Sequence, residues 1–166
     1  MTPTIVQDPS PVLRATASPV PTSDFGSAQL ASILADMKAA LAAEDDGVAI
    51  AAPQIGVSLQ IFIVAAKALG KRQKEDIVFI NPKITRLGRK REVLSEGCLS
   101  VRWKYGMVKR ALTASVRAYN EKGNEFVMKG EGLLAQIFQH ETDHLRGILF
   151  IDKATDIEDL PPPKKK

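Results

Sequence analysis

Both histidines of the chain fall in one five-residue word, His140-Glu141-Thr142-Asp143-His144. On an α-helix, positions i and i+4 share a face one turn apart, so both imidazoles can reach a single metal ion. Glu141 flanks that face and stands too close to a bound metal to be idle. Upstream, Leu133, Leu134, Ile137 and Phe138 recur at helical spacing, and Leu133, Ile137, His140, Glu141 and His144 share one stripe. Imidazoles emerging from an apolar stripe need a partner, and a metal supplies one.

Two histidines do not complete a site. Catalytic zinc or iron centres typically have three protein ligands and one open position. No third histidine exists, and Glu158 and Asp159 sit in an acidic, Pro-flanked tail without a helical frame. The single cysteine, Cys98, lies in Glu96-Gly97-Cys98-Leu99-Ser100. A lone cysteine reads as a small buried hydrophobe. Beside a two-histidine helix that lacks a ligand, it reads as the third ligand, because coordination deprotonates a thiol to a strong donor.

The elements that must position these groups follow from periodicity. Residues 29–43 carry Leu30, Ile33, Leu34, Met37 and Leu41 at helical spacing, and Glu44-Asp45-Asp46-Gly47 closes that helix. Residues 47–56 are too rich in Gly and Pro for a long helix and fit a loop or irregular strand. Residues 60–66 and 77–81 are expected strands, with Asn81-Pro82 a turn signal. Further strands are expected in 84–102 and 107–120, with a hairpin turn at 121–124 leading into 125–128. The histidine helix spans about 131–145, with Gly130 and Gly132 at its start and Gly147 at its end, followed by a short strand at 148–151. Residues 156–166 are expected to be a flexible tail. This order points to an α+β fold in a single domain, 1–166.

Bulk properties narrow the setting. The 166 residues are 45% hydrophobic and 25% charged, as in ordinary globular proteins. No apolar run can span a bilayer, so no membrane partner is expected. One cysteine precludes an internal disulfide, and no signal peptide is evident. A cytoplasmic location is expected, or an organelle interior if a transit peptide has been removed. The net charge of +4 gathers at Lys83, Arg86, Arg89, Lys90, Arg91, Arg102, Lys104, Lys109, Arg110 and three terminal lysines. Such charge forms a solvated face or attracts an anionic partner such as a ribosome surface, and sequence-specific nucleic-acid recognition is not expected.

Three collinear words resemble the peptide deformylase family: Gly47-Val48-Ala49-Ile50-Ala51-Ala52-Pro53-Gln54, Glu96-Gly97-Cys98-Leu99-Ser100, and Gln139-His140-Glu141-Thr142-Asp143-His144. They are similar to that family's G-x-G-φ-A-A-x-Q, E-G-C-φ-S and Q-H-E-x-D-H. The segment from Ile5 to Arg14 resembles its N-terminal stretch, and the likeness runs to Lys153. The resemblance implies antiparallel or mixed β-sheets packed around a central C-terminal helix carrying H-E-x-x-H. It implies that Cys98, His140 and His144 hold one divalent metal, Fe2+ natively, with Zn2+, Ni2+ or Co2+ able to substitute. Glu141 would move the water proton, while Gln54 and the Leu99 N–H would hold the oxyanion.

The implied reaction removes the formyl group from N-formylmethionyl nascent chains and releases formate. Val48 and Ala49 would pair with the extended substrate, beside Gly97. The methionine pocket would draw on Val48, Leu94, Leu133, Gln136 and Ile137. Glu96, paired with Arg110, and Asp143 would orient the metal-bearing elements. A monomer is expected. This chain departs from the family's usual pattern at Ala49, Arg102 and Tyr105, and Gln136 is polar for a methionine pocket. The rival readings are an H-E-x-x-H metallopeptidase and a catalytically silent metal-stabilised binding protein.

Overall fold

A computed structural model describes residues 1–162 and 164 of the chain. Two helices and two antiparallel sheets make up an α+β fold. Helix α1 spans Ala28–Ala42 and helix α2 spans Leu133–Leu145. The strands are β1 (Ala49–Ala51), β2 (Ile61–Val64), β3 (Ile77–Leu87), β4 (Arg91–Gly97), β5 (Lys104–Ala111), β6 (Thr113–Tyr119), β7 (Glu125–Glu131) and β8 (Thr155–Asp159). The larger sheet runs β1-β2-β3-β6-β7 and the smaller β4-β5-β8. Among the described residues, no helix is long and apolar enough to cross a membrane.

The larger sheet is buried on both faces at β1, β2 and the start of β3, and strand alternation sorts the side chains there. Ile61 and Ile63 of β2 join Ile50, Val78 and Ile80 in packing against Leu30, Leu34, Met37 and Leu41 of α1. Phe62 and Val64 point the other way and join Phe79, Val116 and Ala118 against Ala135, Ile137 and Phe138 of α2. On that side Phe62 stacks on Phe79 at 4.5 Å between ring centroids, and Phe138 meets Phe79 edge-on at 5.4 Å. Helix α1 starts at Ser27, whose hydroxyl accepts from Leu30 N at 3.1 Å. Just past the end of α2 comes Gly147, whose φ of +74° and approach to Arg14 O exclude a side chain.

Helix α2 is also tied to the smaller sheet. Gln139 accepts from Ala111 N at 2.9 Å and donates to Ala111 O at 2.9 Å, clamping the end of β5. The His140–His144 word therefore lies where helix, large sheet and small sheet meet.

Several expectations require correction. The strand expected at 148–151 is a 3-10 turn, Phe150–Asp152, because Asp152 accepts from Leu149 N at 3.0 Å and caps it. Asn81-Pro82 does not end a strand. It sits inside β3 at a register shift, with Asn81 at φ +50° and its amide bonded to both N and O of Val20. The span 84–102 is the end of β3, a turn, β4 and a second turn. Residues 156–159 of the expected flexible tail instead belong to β8, which pairs with the free edge of β5. Its side chains are all exposed, so no apolar alternation marked it. Positions 163, 165 and 166 of that tail lie outside the described residues.

Candidate metal centre and active site

Helix α2 projects His140 and His144 from successive turns, with ring centroids 5.0 Å apart. Cys98 follows β4 at the start of a turn closed by the Val101 N–H to Cys98 O at 3.1 Å. Its Sγ lies 3.3 Å from His144 Nε2 and accepts from Ser100 N at 3.4 Å. The ligand atoms of Cys98, His140 and His144 all lie within 4.8 Å of one another. Burial pushes the Cys98 thiol up, but the imidazoles of His144 and His140 outweigh it and hold it at about 5. A thiolate and two imidazoles converging in a buried place form a donor set that suits a divalent transition metal.

Glu96 and Arg110 support that group. His140 Nδ1 is 2.5 Å from Glu96 Oε1, which leaves the other ring nitrogen for the cysteine side. Glu96 accepts from Arg110 Nη2 at 2.6 Å and Nε at 3.0 Å, and from Gln136 Nε2 at 3.2 Å. Burial alone would raise the Glu96 pKa, yet the bonds from His140 and Arg110 bring it down to about 2. Arg110 also donates to Asp143 at 2.8 Å, where Arg146 and Lys153 converge at 2.9 Å each. Asp143 is held below the usual carboxylate range by these cations, against its burial.

Glu141 is different. It is buried, and its Oε2 has no hydrogen-bond partner. Burial raises its pKa, against the pull of His140 and His144. A buried carboxylate with an unused oxygen beside a metal-capable group can take and return a proton.

Gln54 sits in the 3-10 turn Ala52–Ile55 directly after β1, where Gly56 at φ +83° terminates the turn. Its Oε1 accepts from Ala51 N at 2.8 Å, and its Nε2 donates to Ser100 Oγ at 3.1 Å and approaches Cys98 Sγ at 3.7 Å. Gln7 Nε2 donates to Leu99 O at 2.8 Å and so orients the peptide behind Cys98.

A cleft of about 360 Å³ opens onto these groups. Val48, Ala49, Gln54, Gly97, Cys98, Leu99, Leu133, Gln136, Ile137, His140 and Glu141 line it. His144 lies behind it, and Leu94 is not on its wall. Leu94 is two residues before Glu96 on β4, about 7 Å further along the strand, opposite Val108. Glu158 and Asp159 are exposed on β8, where Asp159 pairs with Lys104 at 2.8 Å, away from the donor group. Residues with no assigned role at the level of sequence also contribute. Ser100 and Gln7 hold Gln54 and Leu99, and Asp46, Trp103 and Lys104 add to the cleft wall. Only the acidic run 44–46 and the basic-aromatic run 102–105 hinted at the last group. The polarity of Gln136 has an explanation: both its N–H bonds are directed to Ser95 O (3.0 Å) and Glu96.

Residues 2–159 match the family model described as polypeptide deformylase. The chain belongs to that family. It is 42% identical over 153 residues to a peptide deformylase of Desulforudis audaxviator, covering 92% of this chain and 94% of the relative. It is 43% identical to peptide deformylase 1 of Bacillus anthracis over 152 residues, 91% of each chain. Among solved structures, a class I type b peptide deformylase from Acinetobacter baumannii with Met-Ala-Ser bound superimposes with a TM-score of 0.84. The two are 32% identical, with 92% and 98% of the chains covered. A Legionella pneumophila peptide deformylase gives 0.84 at 38% identity, covering 94% and 88%. The deformylase fold is thus the α+β arrangement described above. Membership makes the chain an enzyme, and neither rival reading is favoured.

Proposed function

We propose that this deformylase hydrolyses the formyl amide of N-formylmethionyl peptides, giving formate and a free N-terminus. The observation that carries the reading is the partnerless Glu141 carboxylate beside the Cys98–His140–His144 group, at the floor of an open cleft. Those three side chains would hold one divalent metal, Fe2+ natively, with Zn2+, Ni2+ or Co2+ able to replace it. Bound there, such an ion lowers the pKa of water and polarises a carbonyl oxygen.

The remaining work falls to the chain. Glu141 takes the proton of the attacking water and delivers it to the departing amine, so one water is consumed for each formate released. Gln54 Nε2, whose N–H beyond the one given to Ser100 is aimed at Cys98 Sγ, and the Leu99 N–H receive the developing oxyanion. The edge of β1 not paired with β2, at Val48 and Ala49, takes the peptide main chain as an added strand beside Gly97. Leu133, Ile137, Val48 and the aliphatic stem of Gln136 contact the methionine side chain, with Leu94 further along β4. The enzyme acts as a monomer in the cytoplasm or an organelle interior, and its basic face favours an electrostatic contact with the ribosome.

The test is formate release from formyl-Met-Ala-Ser by anaerobically prepared Fe2+ protein. Release by the wild type and its loss in Glu141→Gln support the reading. Cleavage of internal bonds in unformylated peptide, or equal formate release by Glu141→Gln, refutes it.

A further inference from the structure

We propose that Arg102 is a positioning residue for the peptide: its guanidinium clasps together the two walls of the cleft that an extended chain would lie between. One wall is the α1–β1 connection, from Asp46 through Gly47 and Val48 to Ala49 at the open edge of β1. The other runs from Leu99 to Tyr105. Arg102 joins them. Its Nη1 donates to Asp46 Oδ2 at 2.8 Å, and its Nη2 donates to Glu44 Oε2 at 2.5 Å and to Asp46 Oδ1 at 3.2 Å. A planar fork is suited to spanning two carboxylates in this way.

Both ends of the clasp are anchored. The Arg102 N–H donates to Gln7 Oε1 at 3.2 Å, and the same glutamine holds Leu99 O, so the loop is fixed from behind. Trp103 takes φ +66°, a left-handed conformation that bulky residues adopt only when the surroundings dictate it. Its ring lies 5.0 Å from the Arg102 guanidinium carbon. The side chain of Arg102 is 19% exposed, less than either carboxylate, which keeps the fork out of bulk water. Further in, the Tyr105 ring covers Gly97, where a Cβ would come within 2.8 Å of it. The loop that Arg102 fastens is therefore continuous with the segment facing the substrate main chain. None of these atoms touches the donor group, so the clasp acts on binding and not on the chemical step.

The proposal rests on the deformylase reading for KM, and a second readout is free of turnover. Trp103 is the only tryptophan, so its emission reports on the cleft wall during titration with the product peptide Met-Ala-Ser. In metal-loaded protein, Arg102→Ala should raise both KM for formyl-Met-Ala-Ser and Kd for Met-Ala-Ser by roughly 5- to 10-fold. Its kcat should stay within about twofold of wild type. Arg102→Lys should recover part of the loss, since one ammonium cannot span both carboxylates. The double variant Glu44→Gln/Asp46→Asn, which keeps Arg102, should move KM and Kd in the same direction. Unchanged KM and Kd in Arg102→Ala, or a loss confined to kcat, overturns the proposal. If Arg102→Ala does not fold, unchanged constants in the double variant overturn it equally. Failure of the wild type to release formate would sink the functional reading, while the Met-Ala-Ser affinities still decide the clasp.

Discussion

Replacing Arg110 by Met should be among the most destabilising single changes near the active site. The guanidinium is 3% exposed, against 4% for Glu96 and 5% for Asp143, and it donates three bonds to those carboxylates at 2.6 to 3.0 Å. Removing one partner of such a buried arrangement leaves uncompensated charge and costs about 3 to 5 kcal/mol. The two carboxylates do not share that cost equally. Asp143 keeps Arg146 and Lys153, both reaching it from partly exposed positions. Glu96 keeps only Gln136 and His140. Most of the loss therefore arises at Glu96, and adding Glu96→Gln should return part of it, with a coupling energy of about 2 kcal/mol. The assay is urea unfolding of metal-free protein followed by Trp103 emission, which removes the contribution of metal binding. A melting temperature lower by roughly 6 to 20 °C should accompany the change in a chain of this length. A loss under about 1 kcal/mol, or strictly additive effects of the two substitutions, would refute the reasoning.

Three further outcomes follow from the geometry. Gly147→Ala should lower unfolding free energy by roughly 2 to 5 kcal/mol, measured in urea, because its φ is +74° and a Cβ would lie 2.3 Å from Arg14 O. Chelation should lower the melting temperature and return of the divalent ion should restore it; at free metal near 100 times Kd the gain is about 2.7 kcal/mol, and no shift would argue against metal on the Cys98–His140–His144 group. Asp46 is held below its ordinary 3.8 by the hydrogen bond from Arg102. Its contribution to the clasp is thus present above the ordinary carboxylate range and lost as pH falls through the lowered value; carboxyl NMR should show the midpoint return toward 3.8 in Arg102→Ala.

How much was legible in sequence depended on the range of the interaction. The apolar stripe of α2 and the spacing of His140 and His144 are local, and both helices stand within two residues of where periodicity puts them. The hairpin between β6 and β7 was signalled by its turn residues in the same way. The third donor was harder, since Cys98 precedes His140 by dozens of residues and only a missing ligand drew attention to it. Glu96 on β4 meets Arg110 on β5 only through their side chains, since their register partners are Gly106 and Glu92, and no periodicity reports such a contact. β8 escaped notice because an edge strand exposed on both faces carries no hydrophobic pattern. The Asn81 turn signal misled because the residue uses its left-handed φ to bend a strand, not to end one.

The arrangement explains why the metal-capable group lies at a seam and not on one element. Cys98 comes from the end of the smaller sheet, while His140 and His144 belong to the helix packed on the larger one. Any slip between those layers would separate the thiolate from the imidazoles. Two sets of buried polar contacts oppose such a slip: Gln139 locks α2 to the last residue of β5, and Arg110 links β5 to Glu96 on β4 and Asp143 on α2. Hydrophobic packing alone tolerates small shifts, whereas a bidentate ion pair loses its hydrogen bonds within an ångström or so. The charged network therefore sets the register of the layers, and the donor group inherits its geometry from that register. A core of equal stability built without Arg110 would still fold, but it would leave Cys98 and His144 free to drift apart.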